Sequence, residues 1–248
     1  MTGDEQALTG GNSTVVVRVG GAVHRATAPW TPAVHLLLRT LRGAGMDEVP
    51  EPLGFDAQGR EVLTFLPGDV GGYPLPAWLW APTILDDAAG LLRRLHDASA
   101  SLVSKELTWG MPRTEPAEVI CHNDFAPYNM TFTGGRVTGV FDFDAAAPGP
   151  RIRDLAYLAY RLVPLGEDAG VAMDVGERMT RLDRLIAAYG VPYARAEVLR
   201  AVAARLLELA AYTDGRHRET GDEMFAAHAA MYRRDAARAA DLAEQHGG

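Results

Sequence analysis

Four polar residues in one stretch of the chain have the types and spacing to do chemistry. His122 and Asp124 are two apart, Asn129 follows five positions later, and Asp142 comes thirteen after that. An amide oxygen and a carboxylate converging on one point suit a hard, oxygen-seeking cation such as Mg2+. A further carboxylate, Asp124, suits the orientation and deprotonation of a hydroxyl.

The surrounding residues give these groups their scaffold. Val119–Cys121 is a short apolar run, and His122–Asn129 is polar and contains Pro127, so it reads as a loop. Met130–Thr133 alternates like a strand. Gly134-Gly135 is a two-residue hairpin turn, Arg136–Phe141 is the return strand, and Asp142 follows at its end. If Thr133 faces Arg136, then Asn129 faces Val140 and Asp142 lies one diagonal away, about 7–8 Å in a sheet. Taken singly, an H-x-D is often a loop whose side chain bonds its own backbone, and an Asp at a strand end is often a turn residue. Their order and spacing together make the signal. A different reading takes Asp142-Phe143-Asp144 as the D-x-D of a metal-dependent glycosyltransferase, which leaves His122, Asp124 and Asn129 without a role.

His122-Asn-Asp124-Phe-Ala-Pro-Tyr-Asn129, then a hairpin, then Asp142-Phe143-Asp144 resembles the catalytic core of the protein-kinase-like fold. Within that fold it is most similar to the aminoglycoside phosphotransferase and choline kinase group. The resemblance implies a two-lobed α+β fold. A small β-rich N-lobe would cover 1–66 and a larger helical C-lobe 67–248, joined at 64–69. It also implies transfer of the γ-phosphoryl of ATP or GTP to a hydroxyl of a small acceptor. Aminoglycoside-like antibiotics, amino alcohols such as choline-like amines, and sugars all fit that description. Asp124 would orient the acceptor hydroxyl and accept its proton. His122 would brace the loop. Asn129 and Asp142 would hold Mg2+ bridging the phosphates, with Asp144 an outlying candidate either for the ion or for supporting its ligands. The acceptor is expected between Asp124 and the C-terminal helices.

The N-terminal region supplies the expected nucleotide site. Gly10, Gly11, Asn12 and Ser13 precede a β-rich run, Thr14–Val19, and a glycine-rich turn of this kind lets backbone N–H groups approach phosphates. Gly20-Gly21 is a second turn, and Ala22–Arg25 returns. In the resembling family this strand carries a lysine that holds the α- and β-phosphates, oriented by a glutamate on the next helix. Here the lysine position falls at or near Arg25, and the chain's only lysine is Lys105. Arginine binds phosphate bidentately and is always charged. The next helix, 31–43, is expected to be capped by Thr31, with Pro32 in its first turn, Gly43 at its end, and His35 where the glutamate belongs. These departures favour a competing reading, a non-catalytic kinase-like binding protein. Asp124, Asn129 and Asp142 stand against it. The strand Glu61–Leu66 runs into Pro67-Gly68, and the backbone of 64–67, with Phe65 and Leu66 at its centre, is expected to hydrogen-bond the nucleotide base.

Residues 69–82 read as an irregular connector anchored by Trp78 and Trp80. A helix then starts at Thr83 with Ile84, Ala88, Leu91, Leu92 and Leu95 at helical spacing, and His96 packs beside them. Asp154 is read as a structural residue that caps the following helix. Helices are expected over 155–163, 175–189, 195–213 and 222–244, with breaks at Gly190-Val-Pro192 and Asp214-Gly215. The net charge of −8 argues against a nucleic-acid partner. No apolar run approaches the roughly 20 residues that span a bilayer, and the N-terminus lacks a signal-peptide pattern, so a cytoplasmic location is the expectation. Cys121 is the only cysteine, which excludes an internal disulfide, and its apolar surroundings predict a buried thiol.

Overall fold

Short alternating strands and glycine turns build the first part of the chain, and long amphipathic segments build the second. The computed structural model describes residues 5–8, 16–72 and 74–246. Its strands and helices are, in chain order, β1 (Gln6–Leu8), β2 (Val16–Val19), β3 (Ala22–Arg25), α1 (Thr31–Gly43), β4 (Pro52–Phe55), β5 (Glu61–Thr64), β6 (Asp69–Val70), α2 (Pro82–Ser99), β7 (Val119–Cys121), β8 (Met130–Thr133), β9 (Arg136–Val140), β10 (Ala147–Gly149), α3 (Arg151–Leu162), α4 (Val175–Tyr189), α5 (Arg195–Thr220) and α6 (Glu223–Gln245). This is the expected α+β, protein-kinase-like fold.

Contacts group these elements into two compact units. The first comprises Met1–Val70, Arg94–Asp124 and Asn129–Pro150; the second comprises Gly71–Arg93, Phe125–Tyr128 and Arg151–Gly248. The single boundary expected after residue 66 does not follow this grouping, because the hairpin and its flanking strands cluster with the first 70 residues.

In the first unit, an antiparallel sheet has the order β1-β2-β3-β5-β4. α1 turns Val34, Leu37, Leu38 and Leu41 inward, each at most 1% exposed, which is the i, i+3, i+4, i+7 stripe of a helix with one buried face. Thr31 does not cap it. Its hydroxyl accepts from the Ala28 N–H at 2.9 Å, one turn too early, and the N-cap position falls to Trp30, which makes no side-chain cap bond. A second sheet orders β6-β8-β9, and a third pairs β7 with β10. Gly134 and Gly135 have φ of 58° and 74°, the left-handed pair that a tight hairpin turn requires.

The register of that hairpin differs from the expectation. Thr133 faces Arg136, but the pairing shifts between Thr131 and Phe132, so Met130 rather than Asn129 faces Val140. The return strand carries one extra residue, a β-bulge. Asn129 is thereby brought level with Phe141, whose N–H donates to the Asn129 carbonyl at 2.9 Å.

In the second unit, α4 opens on a capping box. The Asp174 side chain accepts from the Glu177 N–H, and the Glu177 side chain accepts from the Asp174 N–H. It closes on Gly190 at φ 80°. α5 does not break at Asp214-Gly215 but continues to Thr220 and ends on Gly221, φ 69°. One glycine inside a long helix costs only about 1 kcal/mol, which packing against α6 offsets. Asp154 is not an N-cap: α3 starts at Arg151, so Asp154 lies inside its first turn, fully buried.

Candidate active site

β7 leads into the His122–Asn129 loop and is held from two sides. It pairs with β10, and the Ile120 N–H donates to Ser99 Oγ at the end of α2 (3.2 Å). Cys121 is buried, as its sequence context predicts, with its thiol on the Pro150 carbonyl. The next residue, His122, is wholly buried. Its Nε2 donates to the Phe141 carbonyl at 3.1 Å, and its Nδ1 accepts from the Asp124 N–H at 3.3 Å. A carbonyl only accepts and an N–H only donates, so these partners fix one neutral tautomer. His122 thus ties its own loop to the residue that precedes Asp142. Phe143 packs on its ring, centroids 4.6 Å apart.

Among the described residues, two that are not glycine adopt left-handed backbone, Asn123 at φ 64° and Asp142 at φ 66°. Both flank the site, and both are residue types that tolerate this region through local hydrogen bonds. The Asn123 amide donates to the Ala145 carbonyl at 2.8 Å, a second tie between the loop and the Asp142–Asp144 segment.

Asn129 is nearly buried, and its Nδ2 donates both to the Asp124 carbonyl (3.0 Å) and to Asp124 Oδ2 (2.8 Å). With the nitrogen spent on Asp124, the amide presents Oδ1 as its acceptor. Asp142 and Asp144 keep 47% and 40% of their side chains exposed. An amide oxygen and two accessible carboxylates are the hard oxygen donors that Mg2+ selects, with no soft ligand among them. The donor set therefore fits a magnesium ion.

Arg25, at the end of β3, reaches the same segment. Its Nη2 lies 2.7 Å from Asp144 Oδ1 and its Nη1 3.4 Å from Asp142 Oδ1, while Nε donates to Glu61 Oε1 at 2.7 Å. The other Glu61 oxygen accepts from His35 Nε2 at 2.8 Å. Burial opposes the charge on Arg25, yet Asp144, Glu61 and Asp142 together hold its guanidinium above the ordinary arginine range. So Arg25 does have a carboxylate partner, supplied by β5 rather than by α1. His35 stands on the helix at the expected place but meets Arg25 only through Glu61.

Glu61 is a site residue that the motifs did not single out. The signal is a carboxylate at an inward position of a strand: Glu61 and Leu63 are buried while Val62 and Thr64 are not, and Glu61 pairs directly opposite Arg25. Gly110 is another. A Cβ there would stand 1.7 Å from the Asp144 carbonyl oxygen, so this glycine backs the Asp142–Asp144 segment. Nothing in its sequence neighbourhood points to that.

The remaining expected residues divide. Gly10, Gly11, Asn12 and Ser13 lie outside the described residues. The Phe65 N–H donates to the Gly21 carbonyl at 2.9 Å, and Arg18 covers the Phe65 ring at 3.8 Å. Leu66 lies against the β9 hairpin strand, its Cδ1 2.9 Å from where a Cβ on Gly139 would be.

Comparison with known proteins agrees with this geometry. Residues 99–197 match the model of the phosphotransferase enzyme family. The trifolitoxin immunity protein of Rhizobium leguminosarum bv. trifolii is 36% identical over 183 residues, 71% of this chain and 67% of that protein. Among solved structures, the ethanolamine kinase of Plasmodium vivax superposes with a TM-score of 0.67 at 12% identity, over 94% of this chain and 82% of that one. An amicoumacin kinase in complex with AMP-PNP, Ca2+ and Ami superposes with a TM-score of 0.68 at 13% identity, over 94% and 87%. The two structures carry the fold; the sequence relative and the family match carry kinship, and with the loop and hairpin geometry they assign the chain to the phosphotransferase enzyme family.

Proposed function

We propose that this protein transfers the γ-phosphoryl group of ATP or GTP to a hydroxyl of a small molecule. The observation that carries the reading is the Asn129 amide bonded to Asp124 while its oxygen remains for a cation, beside two accessible carboxylates that Arg25 touches. Asp124 orients the acceptor hydroxyl and takes its proton as the oxygen attacks phosphorus. Asn129 and Asp142 hold the metal, with Asp144 as an additional oxygen donor. Mg2+ held there would offset charge that builds on the phosphates. His122 keeps loop and metal segment in register. Arg25 meets the phosphates with a two-pronged guanidinium. The Phe65 N–H and the Thr64 N–H are already bonded to the Gly21 and Glu51 carbonyls, so the base would be read by the Phe65 carbonyl and the Leu66 backbone.

Formal charge supports a cation-dependent site. Glu61, Asp124, Asp142 and Asp144 against Arg25 leave three surplus negative charges, hostile to a triphosphate without a divalent ion. The name of the 36% identical relative, an immunity protein against a toxin, favours an antibiotic-like acceptor over a housekeeping amino alcohol or sugar. Such an enzyme would act in the cytoplasm, where the nucleotide is.

The test is calorimetric binding of ATP and GTP with and without Mg2+, followed by transfer assays on hydroxylated antibiotics. Asp124→Ala should lower transfer by roughly 10²–10⁴-fold, the usual worth of a positioned general base, while leaving Mg2+-nucleotide binding near wild type. Equal loss of binding and transfer would remove the role assigned to Asp124. Nucleotide binding without any transfer would favour the non-catalytic binding protein.

A further inference from the structure

We infer that Glu61 is a positioning residue, the fixed end of a pivot on which Arg25 swings between the metal carboxylates and the nucleotide phosphates. The inference rests on the reading of Arg25 as the phosphate contact.

Arg25 is gripped at two ends of unequal strength. At one end, Nε donates to a Glu61 carboxylate that is only 2% exposed. That carboxylate is locked in turn, because its second oxygen accepts from His35 Nε2 on α1, and His35 is 3% exposed and stacked on Phe55, ring centroids 5.4 Å apart. Arginine and the bonded His35 nitrogen are both donors and cannot bond each other. A carboxylate between them satisfies both, which explains why an acid on β5 accompanies a histidine on α1. Leaving a buried charge without its partner is costly, so this end does not let go.

At the other end, Nη1 and Nη2 rest on Asp142 and Asp144, whose side chains are nearly half exposed. The Asp142 contact is long and solvated, hence weak, and the Asp144 contact is short but on a carboxylate still open to water; Mg2+ competes for the same carboxylates. When a metal–nucleotide arrives, the fork can exchange carboxylate oxygens for phosphate oxygens without disturbing Nε. The guanidinium is suited to this and an ammonium is not, because its chemically distinct donors lie on separate edges of one rigid plane. Phosphate is also the better match for the two-pronged edge.

Removing the fixed end has a specific consequence. In Glu61→Gln the anchoring charge is gone, and Arg25 settles on Asp142 and Asp144 alone. Mg2+ must then displace it. The Mg2+ concentration at half-maximal nucleotide binding should rise about tenfold or more, the worth of one charge-assisted hydrogen bond. Where the melt shows the variant almost wholly folded at the assay temperature, the unfolded fraction leaves this midpoint unchanged, so a merely structural role would lower the melting temperature and leave it unmoved. Glu61→Asp keeps the charge but is too short to span both partners. Its midpoint should exceed that of wild type, which suffices where Glu61→Gln does not fold, and should stay below that of Glu61→Gln where both fold.

The experiment titrates Mg2+ into full-length protein at fixed ATP, following nucleotide binding by calorimetry for wild type and both variants. A raised midpoint with the expected order supports the pivot. Wild-type binding with an unchanged midpoint in a folded Glu61 variant overturns the pivot and leaves the proposed function intact. No Mg2+-dependent nucleotide binding by wild type overturns the phosphate-contact reading and the pivot with it.

Discussion

Gly110→Ala isolates one contact at the site. Gly110 has no left-handed φ, so its backbone accepts alanine, and only space decides the outcome. The added Cβ would stand 1.7 Å from the Asp144 carbonyl oxygen and 2.9 Å from its carbon. A carbon and a carbonyl oxygen ordinarily stay about 3.3 Å apart, so one backbone segment must retreat by about 1.6 Å. Neither atom belongs to a flexible side-chain tip, and the segment that yields carries Asp144 and, two residues earlier, Asp142. Misplacement of a reacting group by about 1 Å costs roughly 100-fold in rate. Overpacking of this kind costs about 1–3 kcal/mol of stability, which for a chain of this size lowers the melting temperature by about 2–4 °C per kcal/mol. The assay measures phosphoryl transfer, to an acceptor or to water, with a thermal melt on the same sample. Gly43→Ala is the control, because that glycine ends α1 with no atom within 4 Å of an added Cβ. We expect a loss of about 100-fold in Gly110→Ala from protein that is still folded, and no loss in the control. A Gly110→Ala protein that transfers phosphate within a factor of two of wild type refutes the claim that Gly110 positions Asp142 and Asp144.

His122→Ala should destabilise the fold by about 2–4 kcal/mol, because it opens a buried space and strands the Phe141 carbonyl and the Asp124 N–H; chemical denaturation within 1 kcal/mol of wild type would contradict it. Acid stability should depend on Glu167, whose carboxylate is held down at about 2 by Arg234 first and Arg238 next. A depressed carboxylate stabilises the fold above its unfolded value, about 4.3, and loses that contribution as pH falls towards 2. Glu167→Gln should flatten the acid limb of a stability–pH curve in that window, by less than about 1 kcal/mol because the pair is solvated and salt-screened; an identical curve for the variant would show that the pair contributes nothing.

The loop and hairpin were legible in the sequence because their requirements are local. An H-x-D loop, a Gly-Gly turn that needs left-handed backbone, and an aspartate at the strand end are set by neighbours along the chain. The C-terminal helices were legible for the same reason, through their apolar spacing and end signals. The errors came where a local signal was overruled by packing. Asp214-Gly215 reads as a break, but α5 continues because α6 packs along it. The hairpin reads as a plain ladder, but a bulge moves Asn129 from Val140 to Phe141.

What tertiary structure alone decided is the environment of Arg25. The sequence set an arginine where a lysine is usual and a histidine where a glutamate is usual, and taken pairwise those two cannot form the ion pair. The sheet resolves this by laying Glu61 opposite Arg25, 36 positions away in sequence. The partner of a charge is chosen by distance in space, and strand pairing, not sequence separation, sets that distance. Gly110 carries the same lesson: its absent side chain matters only because the Asp144 backbone crosses the space that a Cβ would fill.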